Sequence, residues 1–135
     1  DQAGKTITRT EVTLGVSNFD DFASGKSTFG NLVRVIYHEL IHVEQLLGLN
    51  GKPKLPGDEN KAKREFLAHY VIITNKTLPL ASKWYLKFWI TSTLTDFYKD
   101  KNGNTYGNYY FRMSADDQKK YLPMKNTLES ILKTL

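Results

Sequence analysis

From Asn31 to about Leu47 the apolar residues Leu32, Ile36, Leu40, Val43 and Leu47 recur three or four positions apart, the period of one face of an α-helix. Ser27 or Thr28 can cap its start, and Gly48 or Gly51 stops it. Upstream, Lys5 to Val16 (KTITRTEVTLGV) is rich in Thr and β-branched residues, with Val12, Leu14 and Val16 alternating with Thr13 and Gly15. That period of two predicts a half-buried strand, followed by a polar loop from Ser17 to Gly30. Asn50 to Asn60 holds two prolines and two glycines and predicts a second loop. A second helix is expected from near Asp58 to about Thr74, with acids in its first turn where the macrodipole favours them. Leu78-Pro79 breaks it, and Ser82 can cap a third helix from Lys83 to Tyr98. Trp84, Tyr85, Phe88, Trp89, Leu94 and Phe97 make this the most aromatic segment and the expected main wall of the core. Asp100 to Ser114 reads as a turn and a short extended or hairpin segment, and Ser114 with Asp117 resembles a capping box. Pro123 interrupts the last helix or divides it in two.

These elements predict an α+β, mainly helical fold: a small N-terminal strand or sheet region, then several helices. At 135 residues, with 40% hydrophobic content, the chain is the size of one domain with a real core, so residues 1–135 are expected to form one unit. It opens on Asp1-Gln2-Ala3-Gly4-Lys5, with neither an initiator Met nor a signal-peptide apolar region, and is expected to be a piece of a longer protein. No apolar run approaches the roughly 20 residues that cross a bilayer, so no membrane span is expected. Cysteine is absent, which excludes disulfides and thiolate zinc ribbons and leaves His and carboxylates as metal ligands. The net charge of +5 is concentrated after residue 50, which can favour an acidic partner. The lysines come singly or in pairs among acids and apolar residues, without an arginine stripe, and this argues against nucleic acid as the partner.

Two short motifs are decoys. Ser24-Gly25-Lys26-Ser27-Thr28 resembles the end of a phosphate-binding loop, but Asp20 stands where that loop needs glycine. Asp100-x-Asn102-x-Asn104 opens like a calcium loop, yet Thr105 replaces the required Gly and Phe111 the required Glu.

The stretch Tyr37-His38-Glu39-Leu40-Ile41-His42 is different, because its spacing suits a chemistry. Histidines four apart on a helix project from the same face and can reach one ion. Glu39, beside His38, can take a proton from water as general base, and zinc lowers the pKa of a bound water from 15.7 to roughly 7. A third ligand is needed. Gln45 and Gly48 exclude the metzincin continuation, which requires Gly and His at those places. Glu65 lies on the second helix, three residues after Ala62 and four before His69, on a face marked by Ala62, Phe66, His69 and Ile73. A carboxylate there is costly unless paired or bound to metal, the plainer alternative being an ion pair with Lys61 at i−4. Ala68, one turn on, is small enough to let two helices approach.

His69, the third and last histidine, can be a metal ligand, a partner that orients Glu65, a donor to an oxyanion, or a hydrogen-bonded core residue. Glu44 points away from the His38 and His42 face. Tyr106, Tyr109 and Tyr110 are candidates for a phenol that stabilises an oxyanion.

HExxH followed, after twenty-two intervening residues, by Glu65-Phe66-Leu67-Ala68 (ExxA) resembles the gluzincin branch of the zincin metallopeptidases. The resemblance covers about His38 to Ala68 and is architectural beyond it. It implies a minimal zincin-like domain with Zn²⁺ held by His38, His42 and Glu65, catalysis by Glu39 with help from His69 or a tyrosine, and a protein or peptide substrate. It also implies that residues 5–16 pair with an extended peptide by strand addition. The small size is similar to that of metallopeptidase toxin domains of bacterial polymorphic toxins of the RHS-repeat type. That similarity implies a secreted or delivered bacterial effector and an immunity or inhibitor protein as partner. Two other readings stay open: a zincin-like interaction domain with a structural metal, and a basic effector that binds nucleic acid.

Overall fold

The computed structural model describes residues 28–103 and 105–135. The predicted strand from Lys5 to Val16, the loop up to Ser27 and the phosphate-loop decoy at 24–27 lie outside the described residues. The described chain is mainly helical, with one short antiparallel strand pair.

Helix α1 spans Phe29–Leu47. Thr28 caps it, its hydroxyl accepting from the Asn31 N–H at 3.1 Å, and Gly48 ends it in the left-handed conformation at φ 69°. Only a residue without a Cβ enters that region at no steric cost. A 3₁₀ turn over Asp58–Asn60 leads into α2, Lys61–Thr74, and α3 spans Lys83–Leu94 with the Ser82 hydroxyl accepting from Tyr85 N–H. Strand β1 (Asp96–Lys99) pairs antiparallel with β2 (Thr105–Gly107), with Asp96 opposite Gly107 and Lys99 opposite Thr105, and an irregularity between Asp96 and Tyr98. A single helical turn α4 (Tyr109–Arg112), α5 (Ala115–Lys120) and α6 (Leu122–Thr134) complete the described chain. Ser114 caps α5 by accepting from Asp117 N–H, and Pro123 sits in the first turn of α6, where its missing N–H costs nothing.

Helix α2 is central, packing against α1 on one side and α3 and α4 on another. The main core gathers Phe66 and Ile73 from α2, Ile90 from α3, Tyr109 and Tyr110 from α4, Met113, Tyr121, and Leu128 from α6. A smaller cluster of Ile41, Ala68 and Ile72 joins α1 to α2, and Ala68 is fully buried where the two helices approach. No helix among the described residues is long and apolar enough to cross a membrane.

Three expectations change. Helix α3 stops at Leu94 rather than Tyr98, because the β-branched and aromatic residues after it find a strand partner across the Asp100–Gly103 turn. The aromatic segment is not the main wall of the core, since Trp84 is 68% exposed and burial is shared among four helices. The apolar stripe of α1 is not the face turned to α2: Leu40 and Leu47 are exposed, whereas Asn31, Arg34, Ile41 and Gln45 are buried. Each of those three polar side chains has a hydrogen-bond partner on another element, which removes the cost of burying it.

Candidate metal centre

His38 and His42 project from one face of α1 toward Glu65 on α2. His38 Nε2 lies 3.3 Å from Glu65 Oε2, His42 Nε2 lies 3.2 Å from Glu65 Oε1, and the two histidine Nε2 atoms are 2.9 Å apart. Donors that share one ion at bond lengths of about 2 Å are separated by about 3.3 Å, and these contacts, two of them to different oxygens of Glu65, are close to that. The packing of α1 on α2, through Ile41 and Ala68, brings the three together.

His69, one turn after Glu65, adds a fourth nitrogen, with Nε2 at 3.5 Å from Glu65 Oε2. His38, Glu65 and His69 offer donor atoms all within 4.8 Å of one another and can hold a metal ion. His69 is 4% exposed, stacked on Trp89 at 4.7 Å between centroids, tilted against His38 at 4.3 Å, and parallel to Tyr109. Its Nε2 and the Nδ1 of His38 are buried without a hydrogen-bond partner among the described residues. A buried nitrogen without a hydrogen-bond partner, 3.5 Å from a carboxylate oxygen, is a group that a bound cation can satisfy.

The electrostatics agree. Burial pushes the His69 pKa down to about 3, with the neighbouring His38 adding to the effect, so the ring is neutral and its lone pair is free. Burial acts to raise Glu65, but hydrogen bonds from His38 and His42 and the nearby imidazoles hold it well below the usual carboxylate range. For His42 burial acts downward, and the Glu65 and Gln45 acceptors outweigh it, leaving the ring more basic than usual.

Beside the cluster is a cavity of about 270 Å³. His38, Glu39, Glu65 and His69 line it together with Val35, Tyr85, Trp89 and Tyr109. Of the three candidate tyrosines only Tyr109 reaches this cavity. Tyr110 packs on Phe66 and donates its hydroxyl to the Gln118 carbonyl, and Tyr106 lies under the Lys61 ammonium. That same ammonium position shows that Glu65 faces the histidines rather than pairing with Lys61. Burial, then the charge of Glu65, raises the Tyr109 pKa and keeps the phenol protonated as a donor. Glu44 turns away to Lys52 and Asn50, and Asp100 accepts from the Asn102 N–H as an ordinary turn does.

Sequence reasoning missed Tyr85, Trp89 and Gln45. The first two stand four apart on α3, a helical spacing that reads equally as core, and Gln45 stands three after His42. Searches against known protein families, curated proteins and solved structures find no match to the chain.

Proposed function

We propose that this chain is a zinc-dependent peptidase of gluzincin-like chemistry, with His38, His42 and Glu65 as metal ligands. The observation that carries the reading is the meeting of His38 Nε2, His42 Nε2 and the two Glu65 carboxylate oxygens at 2.9–3.3 Å, at the edge of a cavity that Glu39 also lines. When bound, zinc supplies Lewis acidity and brings a water's pKa near 7. Glu39 accepts the proton of the attacking water and passes it to the leaving amine. Tyr109, protonated and lining the same cavity, donates to the oxygen that gains charge, and neutral His69 lies beside Glu65 at its buried side. Tyr85, Trp89 and Val35 give the cavity an apolar wall against which a peptide side chain can lie. Delivery as a bacterial effector, with an immunity protein that blocks this cavity, extends the same proposal.

A second reading is a closed structural metal site with four protein ligands. The buried, unpartnered Nε2 of His69 favours it. One set of measurements separates the two: zinc content by elemental mass spectrometry and cleavage of an unstructured protein substrate, on wild type, His42→Ala, Glu39→Gln and His69→Ala. The peptidase reading expects about one zinc in wild type, Glu39→Gln and His69→Ala, none in His42→Ala, and cleavage down at least about 100-fold in Glu39→Gln. Cleavage that survives Glu39→Gln refutes the mechanism. Loss of zinc from His69→Ala, with no cleavage by wild type, establishes the closed site.

A further inference from the structure

We infer that Gln45 is the positioning residue of the metal centre: it holds the His42 ring by Nδ1 with Nε2 facing the donor cluster and locks that ring to the helix carrying Glu65. The inference rests on the metal-binding reading above.

Gln45 is 2% exposed, and both ends of its amide are used. Its Nε2 donates to the Arg64 carbonyl at 3.1 Å. A carbonyl only accepts, so the NH₂ must face Arg64, and Oε1 must be the atom 2.9 Å from His42 Nδ1. Oε1 carries no hydrogen, so Nδ1 must donate to it. A neutral imidazole has one N–H, so in the neutral form that a cation needs the lone pair is on Nε2, the nitrogen 2.9 Å from His38 Nε2 and 3.2 Å from Glu65 Oε1; the ring donates from that nitrogen to Glu65 only when it carries a second proton. One amide thus sets both the tautomer and the direction of the ring.

The same residue closes a ring of hydrogen bonds. The Gln45 carbonyl accepts from Leu55 N–H at 2.9 Å, the Leu55 carbonyl accepts from the Arg64 guanidinium at 2.8 Å, and the Arg64 carbonyl accepts from the Gln45 amide. This ring joins α1, the loop after it and α2 at the residue next to Glu65. His38 has no comparable support, since its Nδ1 is without a partner among the described residues. Partners of this kind typically contribute about 10–100-fold to metal affinity.

The test is zinc affinity of the metal-stripped full chain, by competition with a chromophoric chelator, beside urea stability of the metal-free forms, for wild type, Gln45→Leu and Gln45→Glu. Leucine fills the space without hydrogen bonds, and zinc affinity is expected to fall about 10–100-fold. Glutamate keeps the acceptor for Nδ1–H but loses the donation to Arg64, so it should be less stable than wild type yet bind zinc within about threefold or more tightly. A merely structural role predicts that both variants lose affinity in step with stability. Leucine binding like wild type, or glutamate binding as weakly as leucine, overturns the inference. If Gln45→Leu does not fold, Gln45→Glu decides alone: affinity within about threefold of wild type supports it, and a tenfold loss, roughly 1.4 kcal/mol, overturns it. Wild type that binds no zinc brings down the metal reading and this inference together, whereas zinc binding by wild type with unaltered Gln45 variants removes only the inference.

Discussion

Arg34 is 5% exposed, and its guanidinium donates to three carbonyls, those of Pro79 at 3.1 Å, Asn75 at 3.3 Å and Ile72. Ile72 and Asn75 belong to the last turn and cap of α2, whose carbonyls have no partner within the helix and carry the negative end of its dipole. A fixed cation there satisfies them and ties α1 to the end of α2. Burial pulls the Arg34 pKa down, but a guanidinium starts so high that it stays charged. Arg34→Met keeps the length and removes all three donors, and should cost roughly 3–5 kcal/mol in urea unfolding. A loss under about 1 kcal/mol would mean that these carbonyls are as well served by water. In the sequence Arg34 is one of 19 basic residues and nothing marks it as buried.

Between elements, the critical contact is α1 on α2. Ala68 is fully buried against Ile41 and Ile72, and its single methyl lets the helices come close enough for donors on one to meet Glu65 on the other. Ala68→Leu adds three carbons to a filled space and should destabilise the metal-free chain by about 1–3 kcal/mol. Because it spreads His38 and His42 from Glu65, it should also weaken zinc binding in the same chelator competition. A destabilised variant that binds zinc as wild type does would show that the donors do not depend on this spacing. The smallness of Ala68 is legible from the ExxA pattern, and so is the direction of its effect. The inward face of α1 is not, because hydrophobic periodicity reports apolar stripes and cannot see that Asn31, Arg34 and Gln45 each have a partner waiting on another element.

For the molecule as a whole, the buried cluster couples stability to pH. The unfolded chain protonates His69 below about pH 6.5, while the folded chain holds that ring neutral down to about pH 3. The unfolded state therefore binds more protons across this window, and stability falls as pH falls, with a limiting slope of about 1.4 kcal/mol per pH unit. Glu65, depressed in the fold, adds to the loss below about pH 4.3. His42, raised in the fold, acts oppositely: its contribution is complete below about pH 6.5 and disappears as pH rises through its folded value. The urea midpoint of the metal-free chain should drop steadily from pH 6.5 to 4.5. A flat midpoint there would show that His69 accepts a proton in the folded state.

The sequence by itself determined what depends on neighbours a few residues away: the helical periods, the caps at Ser82 and Ser114, a cap at Ser27 or Thr28 and a stop at Gly48 or Gly51, of which the fold uses Thr28 and Gly48, and the i, i+4 pairing of His38 and His42. Backbone hydrogen bonding and side-chain direction in a helix are local, so these features are written in short stretches of chain. Only the tertiary structure decided what depends on how helices lie against each other. It brought Glu65 to the two histidines, stacked His69 between His38 and Trp89, chose Tyr109 over Tyr106 and Tyr110, and set the Gln45 amide between His42 and Arg64. Those contacts join residues far apart in sequence, and they exist because small and apolar side chains set the distance between helices while each buried polar atom takes whichever partner that distance provides.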